Sequence, residues 1–278
     1  MKSPIAAPLF VTLVLASLVS GAGLAAPAPP APKAPPLEAW AKLPDWSGAW
    51  GMIGPTVFDA ATVEPKGGGA GTPGVREHPP YNPEWEAKYL KNQELVKTDR
   101  FVDPNSFCGT PAYMPRMMNL PDAIEWAVRP DQVWHIVENG STIRRIYTDG
   151  RPHLKGEDLF PTYTGDNIGH WEGDTLVVDT IGLRDDLIID RTGLIHSSAM
   201  HVVQRIRLVE PDILEAQMVL EDPIAFTGPW KVTKRYRRMA PGSYVFDYAC
   251  AENNRNPITA DGRTLTKGAD GKVIDKAK

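Results

Sequence analysis

Cysteine is nearly absent: Cys108 and Cys250 are the only two in 278 residues. A cysteine nucleophile needs a neighbour that stabilises its thiolate. The local stretch NSFCGTPAY supplies none. In an oxidising compartment two cysteines and no others point to one disulfide, with two free thiols as the alternative. Such a bridge would close a loop of roughly 140 residues, for which chain-entropy models give over ~4 kcal/mol at best. Long apolar runs are also scarce, and none follows the one at the N-terminus. A basic excess is missing, with a formal charge of −4. Mild acidity argues against a nucleic-acid partner. There is no Gly-rich phosphate loop, no HExxH and no GxSxG. His196 and His201 lack helical spacing, and the HxE at His170 lacks the downstream cysteines of a deaminase. No metal and no organic cofactor are therefore expected.

The one apolar run lies near the start, in MKSPIAAPLFVTLVLASLVSGAGLAA. Lys2 precedes Ile5–Val19, and small residues follow, with cleavage expected after Ala22 or Ala25. This is the pattern of a secretory signal peptide, too short for a spanning helix of ~20 apolar residues. Its removal takes away one lysine and leaves a charge of −5. Residues 1–25 are read as signal peptide and the mature chain as periplasmic or secreted. Ala26–Pro36, APAPPAPKAPP, is too proline-rich for helix or ladder. Residues 26–42 are read as a linker. Residues 43–256 are read as a single domain, and 257–278 as a polar tail for which disorder is expected.

Within 43–256, Asn82 as cap, Pro83 at the first position and Glu84 and Glu86 in the first turn predict a helix over about 83–98. Beyond Cys108 the apolar period becomes two. AIEWAVR, QVWHIVE, STIRRIYT, DTLVVDTI, AMHVVQRIRLV, ILEAQMVLED, WKVTKRYRRM and SYVFDYA read as strands. Glu138-Asn139-Gly140, Thr148-Asp149-Gly150, Trp171-Glu172-Gly173 and Arg191-Thr192-Gly193 each place glycine third, as three-residue hairpins require. Successive hairpins predict an all-β, mainly antiparallel meander. So many strands must close or curl to hide their edges. The expected fold is a lipocalin-like barrel or bent half-barrel with one N-terminal helix, and a two-sheet sandwich is the alternative. The run Lys231–Arg238 reads as the solvated side of an edge strand.

IGHWEGDTLVVDT, Ile168–Thr180, concentrates ionisable groups. With Trp171-Glu172-Gly173 as the loop, His170 would pair with Asp174 at the end of an apolar wall made by Ile168, Leu176, Val178 and Thr180. A carboxylate orients a histidine for base chemistry. In RRIYTDGRPH, the turn would set Tyr147 opposite Arg151, with His153 nearby. Farther on, His201, Val203, Arg205 and Arg207 share one strand face. Val202, Gln204, Ile206 and Leu208 share the other, which reads as core.

RRIYTDGR, IGHWEGDTLVVDT, IHSSAMHVVQR, EDPIAFTGPW and YACAENNRN resemble motifs of a family of exported proteins from proteobacteria and acidobacteria. The resemblance spans about Asp103 to Asn256. It implies that both cysteine-bearing motifs belong to one domain, which fits a disulfide between Cys108 and Cys250. It implies no particular activity, cofactor or substrate. The family pattern carries Glu where this chain has Gln204, and Pro where it has Ile195, so a general-base role for that Glu does not transfer.

Three functions follow as expectations. In the first, the domain is a cofactor-independent acid–base enzyme (lyase, isomerase or hydrolase) acting on an aromatic or hydroxylated small molecule. His170 with Asp174 would be the base and His201 or Tyr147 the acid. Arg145, Arg151 or Arg205 would hold an anionic oxygen, with His153, Trp134 and Trp171 completing the site. In the second, it is a lipocalin-like carrier whose cavity is lined by Trp134, Trp171 and Trp230. In the third, it is a structural envelope protein. The partner in the first two is a small-molecule ligand. The oligomeric state is left open.

Overall fold

The computed structural model describes residues 35–58, 78–98, 103, 109–110, 112–140, 142–246, 265 and 270–273. The signal-peptide region, both cysteines and most of the polar tail lie outside these residues. Nine strands form a closed barrel in sequence order: β1 (Ala49–Ile53), β2 (Ile124–Val128), β3 (Gln132–Val137), β4 (Thr142–Tyr147), β5 (Asp166–Glu172), β6 (Thr175–Ile181), β7 (His201–Glu210), β8 (Ile213–Glu221) and β9 (Trp230–Arg238). Pairing of β9 with β1 completes the ring, so no long edge is left exposed. This is the barrel that the period-two pattern predicts.

Strand alternation divides each wall residue between core and exterior. Trp50, Trp126, Val133, Ile146, Leu176, Val178, Val202, Ile206, Leu214, Met218 and Val232 are buried in one core cluster. The short 3-10 turn Arg116–Asn119 adds Met117 and Met118 to that core. The Tyr236 hydroxyl, on β9, donates to the Met118 carbonyl at 2.7 Å. Outside the barrel, α1 (Leu37–Trp40) is a single turn and α2 (Pro83–Lys97) is the predicted helix. The Asn82 side chain caps α2 by accepting from the Trp85 N–H, and Pro83 stands at its first position. Tyr89 of α2 is buried in the core cluster. Asn92 and Gln93 donate to the carbonyls of Gly193 and Thr192. No described helix is long and apolar enough to cross a membrane.

Two expectations are corrected. The meander is not continuous: β4 and β5 run parallel, joined by the single pair Tyr147↔Ile168. Thr148-Asp149-Gly150 therefore opens a crossover over residues 148–165 rather than a hairpin, as parallel neighbours require. Ser243–Phe246 is not in strand conformation, and the rest of SYVFDYA lies outside the described residues.

Gly169 sits at the parallel seam. A Cβ there would meet Ile146 Cγ2 at 2.9 Å and the Val177 carbonyl oxygen at 3.0 Å. The backbone contact cannot yield without moving β6. Gly169→Val should therefore destabilise the barrel by about 1–3 kcal/mol, lowering Tm by about 2–4 °C per kcal/mol in a domain of this size. An unchanged melting curve would show that the seam is not tightly packed.

Candidate functional site

A polar row crosses the inner wall. Trp126 pairs with His135, and His135 with Arg144, across β2, β3 and β4. Arg144 Nε donates to Asn167 Oδ1 on β5 at 2.7 Å, and Nη2 to Thr180 Oγ1 on β6 at 2.8 Å. Thr180 and Asn167 face each other in the ladder, and the hydroxyl also donates to Asn167 Oδ1 at 2.9 Å. The Asn167 amide in turn donates to the carbonyls of Thr164 and Gly165, which fixes its orientation. On β7, Gln204 pairs with Val178 while Val202 pairs with Thr180. Gln204 is thus diagonal to Thr180, at a separation of about 7–8 Å by sheet geometry. His135, Arg144, Thr180 and Gln204 are all 0% exposed.

This row is incompletely satisfied. Arg144 Nη1, both ring nitrogens of His135 and both amide atoms of Gln204 are buried with no hydrogen-bond partner among the described residues. The indole N–H groups of Trp46, Trp126 and Trp171 are in the same state. Among the described residues no carboxylate forms an ion pair with Arg144. An unpaired buried polar group costs about 1–3 kcal/mol, so a cluster of them in a folded wall calls for an explanation. Burial pulls the Arg144 guanidinium down to about 9, which leaves it charged at neutral pH. Burial first, and the Arg144 charge second, push His135 well below the usual histidine value, so it is neutral. Its ring stacks flat on Trp126, with centroids 4.2 Å apart and planes 6° apart. Burial likewise raises the Tyr236 phenol, partly offset by the Arg144 charge.

The site residues expected from sequence occupy other positions. The hairpin between β5 and β6 turns on Gly173 and Asp174, with Glu172↔Thr175 as its first pair. His170 therefore pairs with Val177, not Asp174. The difference in register is three residues, and an odd slip turns every side chain of a strand to its other face. His170 is exposed and contacts Glu172 at 3.1 Å, while Asp174 lies in the turn and accepts from Thr175 Oγ1. The His170–Asp174 pair is not formed. Arg205 on the outer face bonds Glu172, and Arg145 lies over the half-buried ring of Trp134. Arg151 stacks 3.9 Å above Tyr147, so that expected contact is made, but outside the barrel. Trp171 alone of the expected aromatic pair turns inward, with its ring 5.4 Å from Trp46.

His153 and His201 do converge with carboxylates, on the exterior of the wall. His153 Nδ1 is 2.7 Å from Asp166, His201 Nε2 is 2.7 Å from Asp179, and His153 Nε2 lies 3.3 Å from the same Asp179 oxygen. Glu221 flanks His201 at 3.4 Å. Each imidazole is thus oriented by a carboxylate, as acid–base chemistry requires. Asp179, and not Asp174, is the carboxylate that meets His201 and His153. Among the described residues no group of three or more His, Cys, Asp or Glu is arranged to hold a metal ion. Elsewhere, an open pocket of ≈ 190 Å³ is lined by the bidentate Arg116–Asp103 pair, Asp190, Arg191 and Asn119. The Asn119 amide is buried there without a partner.

Thr180 lies on the inward face that the sequence predicts, whereas His135, Arg144 and Asn167 carry only one sequence signal between them. His135 shares a strand face with Val133 and Val137, which marks it as inward. Arg144 could not be separated from Arg145 in the same way, since each of their two faces carries one arginine and apolar neighbours.

Fold and inner wall together define a class: a closed, mainly antiparallel barrel with a buried polar row. No family model and no curated protein matches the chain. Solved structures similar to it include the secretary abundant heat soluble (SAHS) protein of Ramazzottius varieornatus, at 8% identity over 54% of this chain and 86% of that one, with a TM-score of 0.28. Another is a point mutant of the fluorescent protein UnaG, at 11% identity over 51% of this chain and 99% of that one, with a TM-score of 0.27. Likenesses at this level add nothing to the topology described above.

The depressed basicity of His135 has a consequence for stability. Below the unfolded value of about 6.5 the unfolded chain takes up a proton that folded His135 refuses. Stability must therefore fall as pH drops from about 6.5 toward 5, by up to about 1.4 kcal/mol per pH unit from this group. Buried His196 acts in the same direction. Urea unfolding at several pH values should give His135→Phe a shallower acid loss than the parent; equal slopes would mean that His135 titrates normally in the fold.

Proposed function

We propose that the chain is a small-molecule-binding barrel whose ligand reaches the inner row of His135, Arg144 and Gln204. One observation carries this reading: wholly buried donors and acceptors on β3, β4 and β7 of the inner wall that find no partner among the described residues. Ligand sites are mostly apolar, with a few convergent polar groups that fix orientation. The inner wall has this composition, with Trp126, Met117 and Met118 around the row. The pocket beside Asn119 is proposed as the way in, because Met118, next in sequence, is tied to Tyr236 of the inner wall. An acid–base activity is a second reading, favoured by the oriented His153 and His201 outside the wall. Export, and membership of the family whose motifs the chain resembles, are also proposed. They rest on the N-terminal pattern and on the motifs quoted above.

A thermal-shift and tryptophan-fluorescence screen of small aromatic and aliphatic acids, amines and alcohols should find compounds that raise Tm, since a ligand of the native state stabilises it. Gln204→Leu should weaken those compounds about tenfold or more, the scale of one buried hydrogen-bond pair, while His170→Ala leaves them unchanged. Binding indifferent to Gln204→Leu would move the site elsewhere. Incubated ligand recovered unaltered by mass spectrometry would count against turnover.

A further inference from the structure

Resting on that reading of the barrel interior, we infer that its ligand is a small apolar molecule carrying one carboxylate, with the charged end held at Arg144. Arg144 is a full positive charge on the inner wall with no carboxylate of the described residues paired to it. Burying an unpaired ion costs far more than burying a neutral polar group. Its remaining hydrogen-bonding capacity lies mainly on one nitrogen. Nε and one edge of Nη2 are taken by Asn167 and Thr180, while Nη1 is unpaired. Guanidinium is a planar donor matched to carboxylate oxygens.

The groups of the inner wall limit the ligand to a single charge. His135 is neutral, pushed down by burial and by Arg144 itself. Gln204 is an uncharged amide that can donate to a carboxylate oxygen. Tyr236 is held protonated and already donates to Met118. One cation and neutral donors suit a monoanion; a phosphate near −2 would bring an uncompensated charge into the core. The remainder of the ligand meets an apolar wall, including the flat Trp126–His135 stack and the methionines of the 3-10 turn. Hence the body is apolar and the head is a carboxylate, rather than a sugar, an amine or a phosphate ester.

The test uses the full chain with three acids, benzoate, cinnamate and octanoate, each set against its primary amide. The amide keeps the shape and removes the charge. Fluorescence titration and Tm shift are both read. At least one acid should bind at least tenfold more tightly than its amide. Arg144→Gln should abolish that preference by weakening the acid and not the amide, whereas Arg144→Lys, which keeps the charge, should retain part of it. Equal binding of acid and amide overturns the carboxylate assignment and leaves the barrel-binding reading standing. Acid preference that survives Arg144→Gln also overturns it, because the charge then acts elsewhere. No saturable binding by any of the six compounds overturns both. Should Arg144→Gln fail to fold, the acid–amide comparison on the parent chain still decides the charge.

Discussion

The buried charge of Arg144 is the interaction on which the rest of this barrel turns. It stands beside the shortest ladder of the wall, where β4 and β5 meet through one backbone pair. Its side chain reaches across that junction to Asn167 on β5 and Thr180 on β6. Two charge-assisted bonds thus replace part of the ladder that the parallel crossover leaves out. The same burial that makes these bonds strong makes the unpaired Nη1 costly. Arg144 therefore closes the wall and leaves a demand inside it.

That demand organises the interior. Burial, with the cation second, keeps His135 neutral, and the neutral ring can stack flat on Trp126 without a counter-ion. The phenol of Tyr236 stays protonated and ties the 3-10 turn to β9 through Met118. Charge of the opposite sign is kept outside, where Asp166, Asp179 and Glu221 gather around His153 and His201.

Much of the architecture was legible in the residues. Period-two patterning located every strand from β2 onward except β5 as a separate run, and the Ile168–Thr180 motif contained the hairpin of β5 and β6. The cap at Asn82 and Pro83 located α2. Left-handed glycines at 140, 150, 173 and 193 were all anticipated by their turn chemistry. The site was much less legible. Gly173 was taken as the end of a three-residue loop, whereas it begins a two-residue one, and the resulting odd slip exchanged inside for outside along β5. His170 went to solvent, Trp171 came in, and Asp179 rather than Asp174 met a histidine. In β7 the faces were divided correctly, with Gln204 on the core side. Its unpaired amide became visible only once the neighbouring strands were in place.

The sequence by itself determined most of the strand segments and which residues alternate along each, because these depend on neighbours one to four positions away. Only the tertiary structure decided which face lies inside and that β4 and β5 run parallel. Those outcomes depend on closing the ring across distant segments, where a shift of one residue costs little locally and reverses every side chain. Arg144 and Arg145 show the limit: adjacent and chemically identical, one lies over Trp134 on the outer wall and the other is buried in the barrel.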